Sequence, residues 1–284
     1  MFETPIHKPF PGMTDDEWKA IHEETTRQMI VHAGAFATPI STQLPNEAPR
    51  LVGTGGYVEI DGARLLLTNE HITFKRRMAP LGHTFAGTEY HYQLAEPRIE
   101  VRDPIDAAVV AISDETWCHA PHNGAAIPAS RIADRHAPVQ RELFFLIGFA
   151  GERARYMPLL GDVLISRGTP YATQEVPADG SDPDIEESIK SEFFDAQYHF
   201  ALLHRPDRTT VLDPKDTRPL PTPPGFSGSL VWNTRRVEAL INNRPWDPAD
   251  AVLTGLVWGW PSSEGMLFAT RIEHIRPLLF GGGT

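Results

Sequence analysis

Three short segments hold residues whose types and order could make and break an acyl bond. The first is Leu65-Leu66-Leu67-Thr68-Asn69-Glu70-His71-Ile72, an apolar strand that delivers a histidine at its end. The second is Asp106-Ala107-Ala108-Val109-Val110, with an aspartate at the head of a buried strand. The third is Gly225-Phe226-Ser227-Gly228-Ser229-Leu230-Val231, a tight glycine-flanked turn leading into a strand. A serine hydroxyl is a weak nucleophile at neutral pH, so a base must take its proton as it attacks. His71 suits that task because an unperturbed imidazole titrates near pH 6.5. An aspartate such as Asp106 can hold the imidazole tautomer and stabilise the imidazolium that forms. Glycines beside Ser227 let backbone N–H groups face a developing oxyanion without interference from a Cβ.

Other carboxylates lie nearby. Glu70 adjoins His71 and is expected on the opposite face of its strand. Asp103 precedes Pro104 and reads as a turn residue, so Asp106 is the expected acid. The α/β-hydrolase elbow G-x-S-x-G is not matched, because position 229 is Ser, and no alternating βαβ pattern precedes it. Cys118, His119 and His122 form a small Cys/His cluster without a second ligand pair, a poor zinc signal. Asp179, Asp182 and Asp184 lack EF-hand spacing, and Pro183 interrupts them. The acidic stretch 175–195 reads as a solvated surface insertion. No metal and no cofactor are expected.

The elements that must position these residues are mostly strands. Residues 14–33 read as one helix, with a Thr14/Glu17 capping box and Trp18, Ile21, Thr25, Met29 and His32 near one face. A polar helix of this kind is expected to pack on the outside of the domain that follows. From Ala37 the pattern becomes period two. Expected strands are Leu51–Ile60, Arg64–Thr68, Arg98–Arg102 and Ala107–Ile112, with a hairpin turn at Asp61-Gly62. After a connector rich in Ala, Pro and His come Glu142–Phe149, Met157–Ser166, Tyr198–His204, Ser229–Trp232, Thr254–Trp258 and Met266–Thr270. A short helix from Arg271 to about Phe280 ends the pattern. The organisation is therefore an N-terminal extension (1–36), a first β unit with its connector (37–138) and a second β unit with a C-terminal helix (139–284).

Composition agrees with that plan. The chain has 284 residues, 41% of them hydrophobic, with 22 glycines and 26 prolines spread along it, which points to many turns and short strands. The net charge of -11 and a basic run no longer than Lys75-Arg76-Arg77 argue against a nucleic-acid partner. One cysteine, Cys118, excludes an intrachain disulfide. No basic start leads into an apolar run, and no uninterrupted apolar stretch is long enough to span a bilayer. A soluble cytoplasmic protein, without membrane partners, is the expectation.

The three catalytic segments resemble the trypsin-like (chymotrypsin-fold) serine peptidase superfamily. They are most similar to its bacterial HtrA-type and glutamyl endopeptidase-like branch. Thr68–Ile72 matches T-N-x-H-[VI], Asp106–Val110 matches D-x-A-[VL]-[VL], and Gly225–Ser229 matches G-x-S-G-[GS]. The resemblance implies an all-β fold of two antiparallel six-stranded β-barrels, with an N-terminal helical extension and a short C-terminal helix added. It implies a catalytic triad of His71, Asp106 and Ser227, and an acyl-enzyme mechanism on a protein or peptide substrate. It implies an oxyanion hole from the backbone N–H groups of Gly225 and Ser227, with that of Phe226 between them. The implied substrate pocket is walled by the segment with Pro221 and Thr222 and by the strand with Val257, Trp258 and Gly259. The basic-specific members carry an Asp where Pro221 stands. The glutamyl-specific members carry a Thr at Thr222 and a His where Val257 stands. No PDZ module is visible, so control would fall to a regulatory protein partner or the N-terminal helix. The alternative expectation is a gated or inactive peptidase fold that acts as a protein-binding module.

Overall fold

The computed structural model describes residues 2–3, 7–42, 47–157, 163–176, 194–206, 209–210, 212, 219–261 and 265–281. The period-two region from Ala37 forms β1 (Ala37–Thr42), β2 (Arg50–Ile60), β3 (Ala63–Thr68), β4 (Leu81–His83), β5 (Tyr92–Gln93), β6 (Pro97–Val101) and β7 (Ala107–Ile112). They lie in the order β5-β4-β1-β2-β3-β7-β6. Asp61 and Gly62 take positive φ, 49° and 77°, as the two-residue hairpin turns favoured by strand twist require. That turn sets Ile60 opposite Ala63 and Gly56 opposite Leu67.

The second sheet contains β8 (Leu143–Gly148), β9 (Thr169–Gln174), β10 (His199–Leu203), β11 (Leu230–Asn233), β12 (Val252–Gly259) and β13 (Met266–Arg271). Their order is β10-β13-β12-β11-β8-β9, and Phe2–Glu3 adds parallel to β9. The chain leaving β9 returns to β10, where Val176 N–H donates to Ala201 C=O at 2.9 Å. The expectation of two six-stranded barrels becomes two curled half-barrels of six and seven strands. Strand β9 is absent from the sequence reading because Pro170 at its second position argues against a strand. Tyr171 and Ala172 are nevertheless fully buried. Two short helices, Asp114–Cys118 and Arg236–Ile241, also escaped it.

Helix α1 (Asp15–Ala33) starts at the predicted capping box, with both reciprocal bonds between Thr14 and Glu17 formed. Its buried residues are Trp18, His22, Thr25, Thr26, Met29 and Ala33, while Ile21 and His32 are only partly buried. The burial of Thr25 and Thr26 has a local cause. Their hydroxyls donate back to Ile21 C=O and His22 C=O at 2.7 and 2.6 Å, which satisfies them inside the helix. This helix is more than an outer cover. Met29 and Ala33 share an apolar cluster with Val58 and Leu65 of the first sheet and with Phe145 and Leu253 of the second. Ile272, Ile275 and Leu279 of the C-terminal helix (Ile272–Phe280) enter the same cluster. The acidic positions Asp179, Asp182 and Asp184 lie outside the described residues.

Burial also places imidazoles where they cannot take a proton easily, and it pushes His22 down to about 3. It pushes His83 down to about 3 and His204 down to about 4. Nδ1 of His83 lies 2.7 Å from the Tyr57 hydroxyl oxygen in a hydrogen bond, and the Nε2 atoms of His83 and His204 are buried without a partner among the described residues. The unfolded chain binds protons from about pH 6.5 downward, and the folded chain does not. Their stabilising contribution is therefore complete above about pH 6.5. It is lost as the pH falls through that value toward the folded pKa values, at about 1.4 kcal/mol per pH unit for each group. Thermal unfolding between pH 7.5 and 5.5, above most carboxylate titrations, is expected to show a falling midpoint. A flat profile would contradict it.

Candidate active site

Strand β3 ends at Thr68, and Asn69 starts a single helical turn, α2 (Glu70–Thr73). His71 therefore stands on a helical turn and not on the strand itself. Its backbone N–H donates to Asp106 Oδ1 at 3.0 Å and its Nδ1 to Asp106 Oδ2 at 2.6 Å. An ionised carboxylate only accepts, so Nδ1 carries the hydrogen and Nε2 keeps its lone pair. The His71 side chain is 41% exposed and that of Asp106 only 7%. Glu70, expected across a strand from His71, lies in α2 instead and takes the Arg102 Nε–H at 3.3 Å.

Asp106 has a φ of 45°, the left-handed region, and β7 begins at the next residue. Both halves of the molecule hold it there. Asn69 Nδ2–H donates to Asp106 C=O at 2.7 Å. From the second sheet, the Thr270 hydroxyl donates to Ile105 C=O at 2.9 Å, and His199 Nε2–H to Pro104 C=O at 2.6 Å. His199 Nδ1 accepts from Asp195 N–H at 3.0 Å, which fixes the tautomer. No hydrogen bond joins Asp103 to His71 among the described residues.

Ser227 lies on a loop whose carbonyls are each held. Phe226 N–H donates to Pro223 C=O at 2.7 Å, closing a turn with Gly225 at φ 104°, the type II pattern. A Cβ on Gly225 would sit 2.3 Å from Phe149 C=O, and one on Gly228 only 1.8 Å from Thr54 C=O. Pro224 C=O accepts from Gly151 N–H at 3.0 Å. Gly225 C=O accepts from the Thr54 hydroxyl at 2.7 Å. Phe226 C=O accepts from Ser229 N–H at 2.9 Å and from the Ser229 hydroxyl at 2.6 Å. In a trans peptide the N–H points opposite the C=O. Gly225 N–H and Ser227 N–H are thus directed away from those anchors, and neither has a partner among the described residues. Phe226 N–H is spent on Pro223, so it does not join them as the sequence reading had it. The Phe226 ring is 1% exposed and packs with Phe144, Leu146 and Tyr171.

The structure joins His71 to Asp106 directly and ties the Ser227 loop, through Thr54, to the end of the strand that precedes His71. Thr54 N–H donates to Ser227 C=O at 2.8 Å, and the Thr68 hydroxyl, just before α2, donates to Thr54 C=O at 2.7 Å. The Ser227 hydroxyl itself donates to Trp258 C=O at 3.3 Å, and no hydrogen bond joins it to His71. Of the expected pocket residues, Pro221 and Val257 are buried, and Val257 packs in the cluster with Phe226. Trp258 and Gly259 are partly buried, with Trp258 against His199 and Phe268. Thr222 is exposed, and its hydroxyl donates to Glu152 Oε2 at 3.0 Å. The Cys118/His119/His122 cluster is not assembled as ligands. His122 places one ring nitrogen 2.8 Å from Trp117 C=O and accepts with the other from Gly124 N–H.

Thr54, Asn69, Thr270 and His199 are the residues that sequence reasoning missed. Asn69 stands at the fixed N of the T-N-x-H match, and Thr54 left a signal of its own. It stands among Gly53, Gly55 and Gly56 in a strand, a pattern that marks close approach of another backbone.

Two curled half-barrels, with a His–Asp pair on one and a glycine-flanked serine on the other, are compatible with a chymotrypsin-like fold. No protein-family model matches the chain, and no curated protein matches it. Among solved structures, one similar chain comes from work described as "Aromatic interactions drive the coupled folding and binding of the intrinsically disordered Sesbania mosaic virus VPg protein". It is 14% identical, with a TM-score of 0.46, over 85% of this chain and 87% of that one. A match at that TM-score fixes neither fold family nor function.

Proposed function

We propose that this chain is a serine endopeptidase of the chymotrypsin-like class. The observation that carries the reading is the double hydrogen bond from His71 to Asp106, set beside a serine loop with two unpaired N–H groups. In this reading Ser227 Oγ turns from Trp258 C=O to His71, gives its proton to Nε2 and attacks the substrate carbonyl. The oxyanion is received by Gly225 and Ser227 N–H. The C–N bond then breaks as His71 returns the proton to the leaving amine. Water, activated by the same imidazole, hydrolyses the ester and restores Ser227. A fluorophosphonate probe tests this directly, since it reports an activated serine. Labelling at Ser227 is expected, and a probe bond on any other residue would sink the assignment.

One observation favours a second reading, a gated or non-catalytic module. The resting Ser227 hydroxyl is spent on Trp258 C=O. Labelling that begins only when a protein partner is added would favour the gated form.

Activation is expected without a cut at the N-terminus. In the secreted animal members of the family a freed amine pairs with an Asp just before the serine. Here Phe226 stands there, buried among apolar side chains, and an ammonium beside it would lack a counter-charge. Trimming α1 is a poor test, because Trp18 and Met29 are core residues. A chain carrying extra residues before Met1 is the better one. It should be labelled at the same rate as the chain starting at Met1, with both termini verified by mass spectrometry.

The residue before the scissile bond is expected to be uncharged. Val257 offers no cation, and the Thr222 hydroxyl already faces the Glu152 carboxylate. A substrate Glu would meet like charge and no partner. Pro221 offers Lys or Arg no carboxylate, and Glu152 is exposed, where an ion pair is worth little, so a peptide-library profile led by Glu, Lys or Arg would contradict this.

A further inference from the structure

We infer that Thr54 is the positioning residue that holds the oxyanion turn in place, an inference that rests on the serine-peptidase reading. Thr54 is fully buried, and each of its polar groups is used. Its N–H donates to Ser227 C=O at 2.8 Å, and its C=O accepts from the Thr68 hydroxyl at 2.7 Å. Its hydroxyl donates to Gly225 C=O at 2.7 Å and accepts from Phe149 N–H at 3.0 Å. One side chain of the first sheet therefore ties the nucleophile loop to the end of β8, next to the strand that leads to His71.

The hydroxyl acts at the carbonyl of the peptide that joins the two N–H groups of the site. The Gly225–Phe226 peptide lies between Gly225 N–H and Ser227 N–H in the chain. Gly225 has no Cβ to restrain it, so rotation of this peptide is opposed chiefly by its hydrogen bonds. Held by Thr54, it completes a turn whose outer carbonyls, Pro224 and Phe226, are already held by Gly151 and Ser229, so the two N–H groups are set before substrate arrives, which is what preorganised oxyanion stabilisation requires. Released, the turn has other arrangements open to it. Gly56 marks the same close approach of the two sheets. A Cβ at Gly56 would lie 2.2 Å from Leu230 Cδ1, so this part of β2 has room for a side chain of the second sheet only because the residue is glycine.

Val is close to Thr in shape and lacks only the hydroxyl, and Ser keeps the hydroxyl and loses only a methyl group. In full-length protein, Thr54→Val is expected to slow fluorophosphonate labelling by about 10- to 100-fold. It should weaken a peptide boronate, which presents a tetrahedral oxyanion, by a similar factor. The KM of a short peptide substrate should stay within about threefold, because ground-state binding does not use the turn. The pH midpoint of labelling should not move, since His71 and Asp106 are untouched. Thr54→Ser should recover most of the rate. Thermal unfolding establishes that each variant is folded at the assay temperature. If the Val variant does not fold, Thr54→Ala, which also lacks the hydroxyl, carries the same expectation.

Labelling of a folded Val or Ala variant at the wild-type rate would overturn the inference. So would a Ser variant as slow as Val, because packing and not the hydroxyl would then be at work. An unlabelled wild-type chain is a different failure. It would overturn the peptidase reading, and this inference with it.

Discussion

Replacing Ser227 by Ala should abolish fluorophosphonate labelling and peptide hydrolysis together, and replacing His71 by Ala should lower kcat by about 10⁴ or more. The size follows from the chemistry. Without Ser227 there is no Oγ to form the acyl bond. Without His71 the hydroxyl keeps its proton, and its hydrogen-bond partner among the described residues is an uncharged carbonyl, that of Trp258. That carbonyl can accept a hydrogen bond but is far too weak a base to take the proton. The double variant should be no slower than the worse single variant, because the residues act as one unit. Neither change should unfold the protein. Ser227 and His71 are both partly exposed, and neither belongs to an apolar cluster. Single-turnover kinetics with an activated ester would separate acylation from binding. A His71→Ala variant that kept more than about a tenth of the rate would contradict the assignment of the base.

What could be read in the sequence was local. Thr14 and Glu17 are three residues apart, and their mutual capping needs nothing beyond the helix they start. Asp61-Gly62 announces its own turn, because positive φ is a property of those two residues. The segments around His71, Asp106 and Ser227 were legible for the same reason, each being a short string at a strand edge. What could not be read was settled by distant partners. Val257 alternates correctly for a strand, but only the assembled sheet shows that it faces the Phe226 cluster and not a pocket. Phe226 N–H looked available until the turn closed onto Pro223. His22 and Thr26 gave no sign of being core, because a polar side chain can be buried once its bonds are made within the helix, as Thr26 shows. Pro170 hid β9 because proline's strand cost is a sequence property, whereas the burial of Tyr171 that offsets it is a tertiary one.

Asp106→Asn is expected to be nearly as severe as loss of the base, about 10⁴ in kcat, with the fold kept. The carboxylate accepts two hydrogen bonds from one residue, the backbone N–H and the Nδ1–H of His71. An amide of the same shape has one acceptor oxygen and one donor group. If its oxygen serves the backbone N–H, its NH₂ faces Nδ1. The imidazole must then carry its hydrogen on Nε2, where it cannot take a proton from Ser227. If the amide flips, its NH₂ meets the backbone N–H inside a site where Asp106 is only 5% exposed. That leaves a buried donor unpaired, at a cost of about 1–3 kcal/mol, and strains the start of α2. A tautomer change of imidazole costs less than that, so the first arrangement should prevail. The variant should then bind peptide with a near-normal KM and label slowly. Its unfolding midpoint should drop only slightly, because three further bonds to the Pro104–Asp106 backbone do not involve the carboxylate. Asp103→Asn is the matched control, in the same turn and without a bond to His71, and should change kcat by no more than about twofold. If Asp103→Asn were the damaging change and Asp106→Asn the mild one, the acid of the site would be Asp103, and the His71–Asp106 pair would be structural.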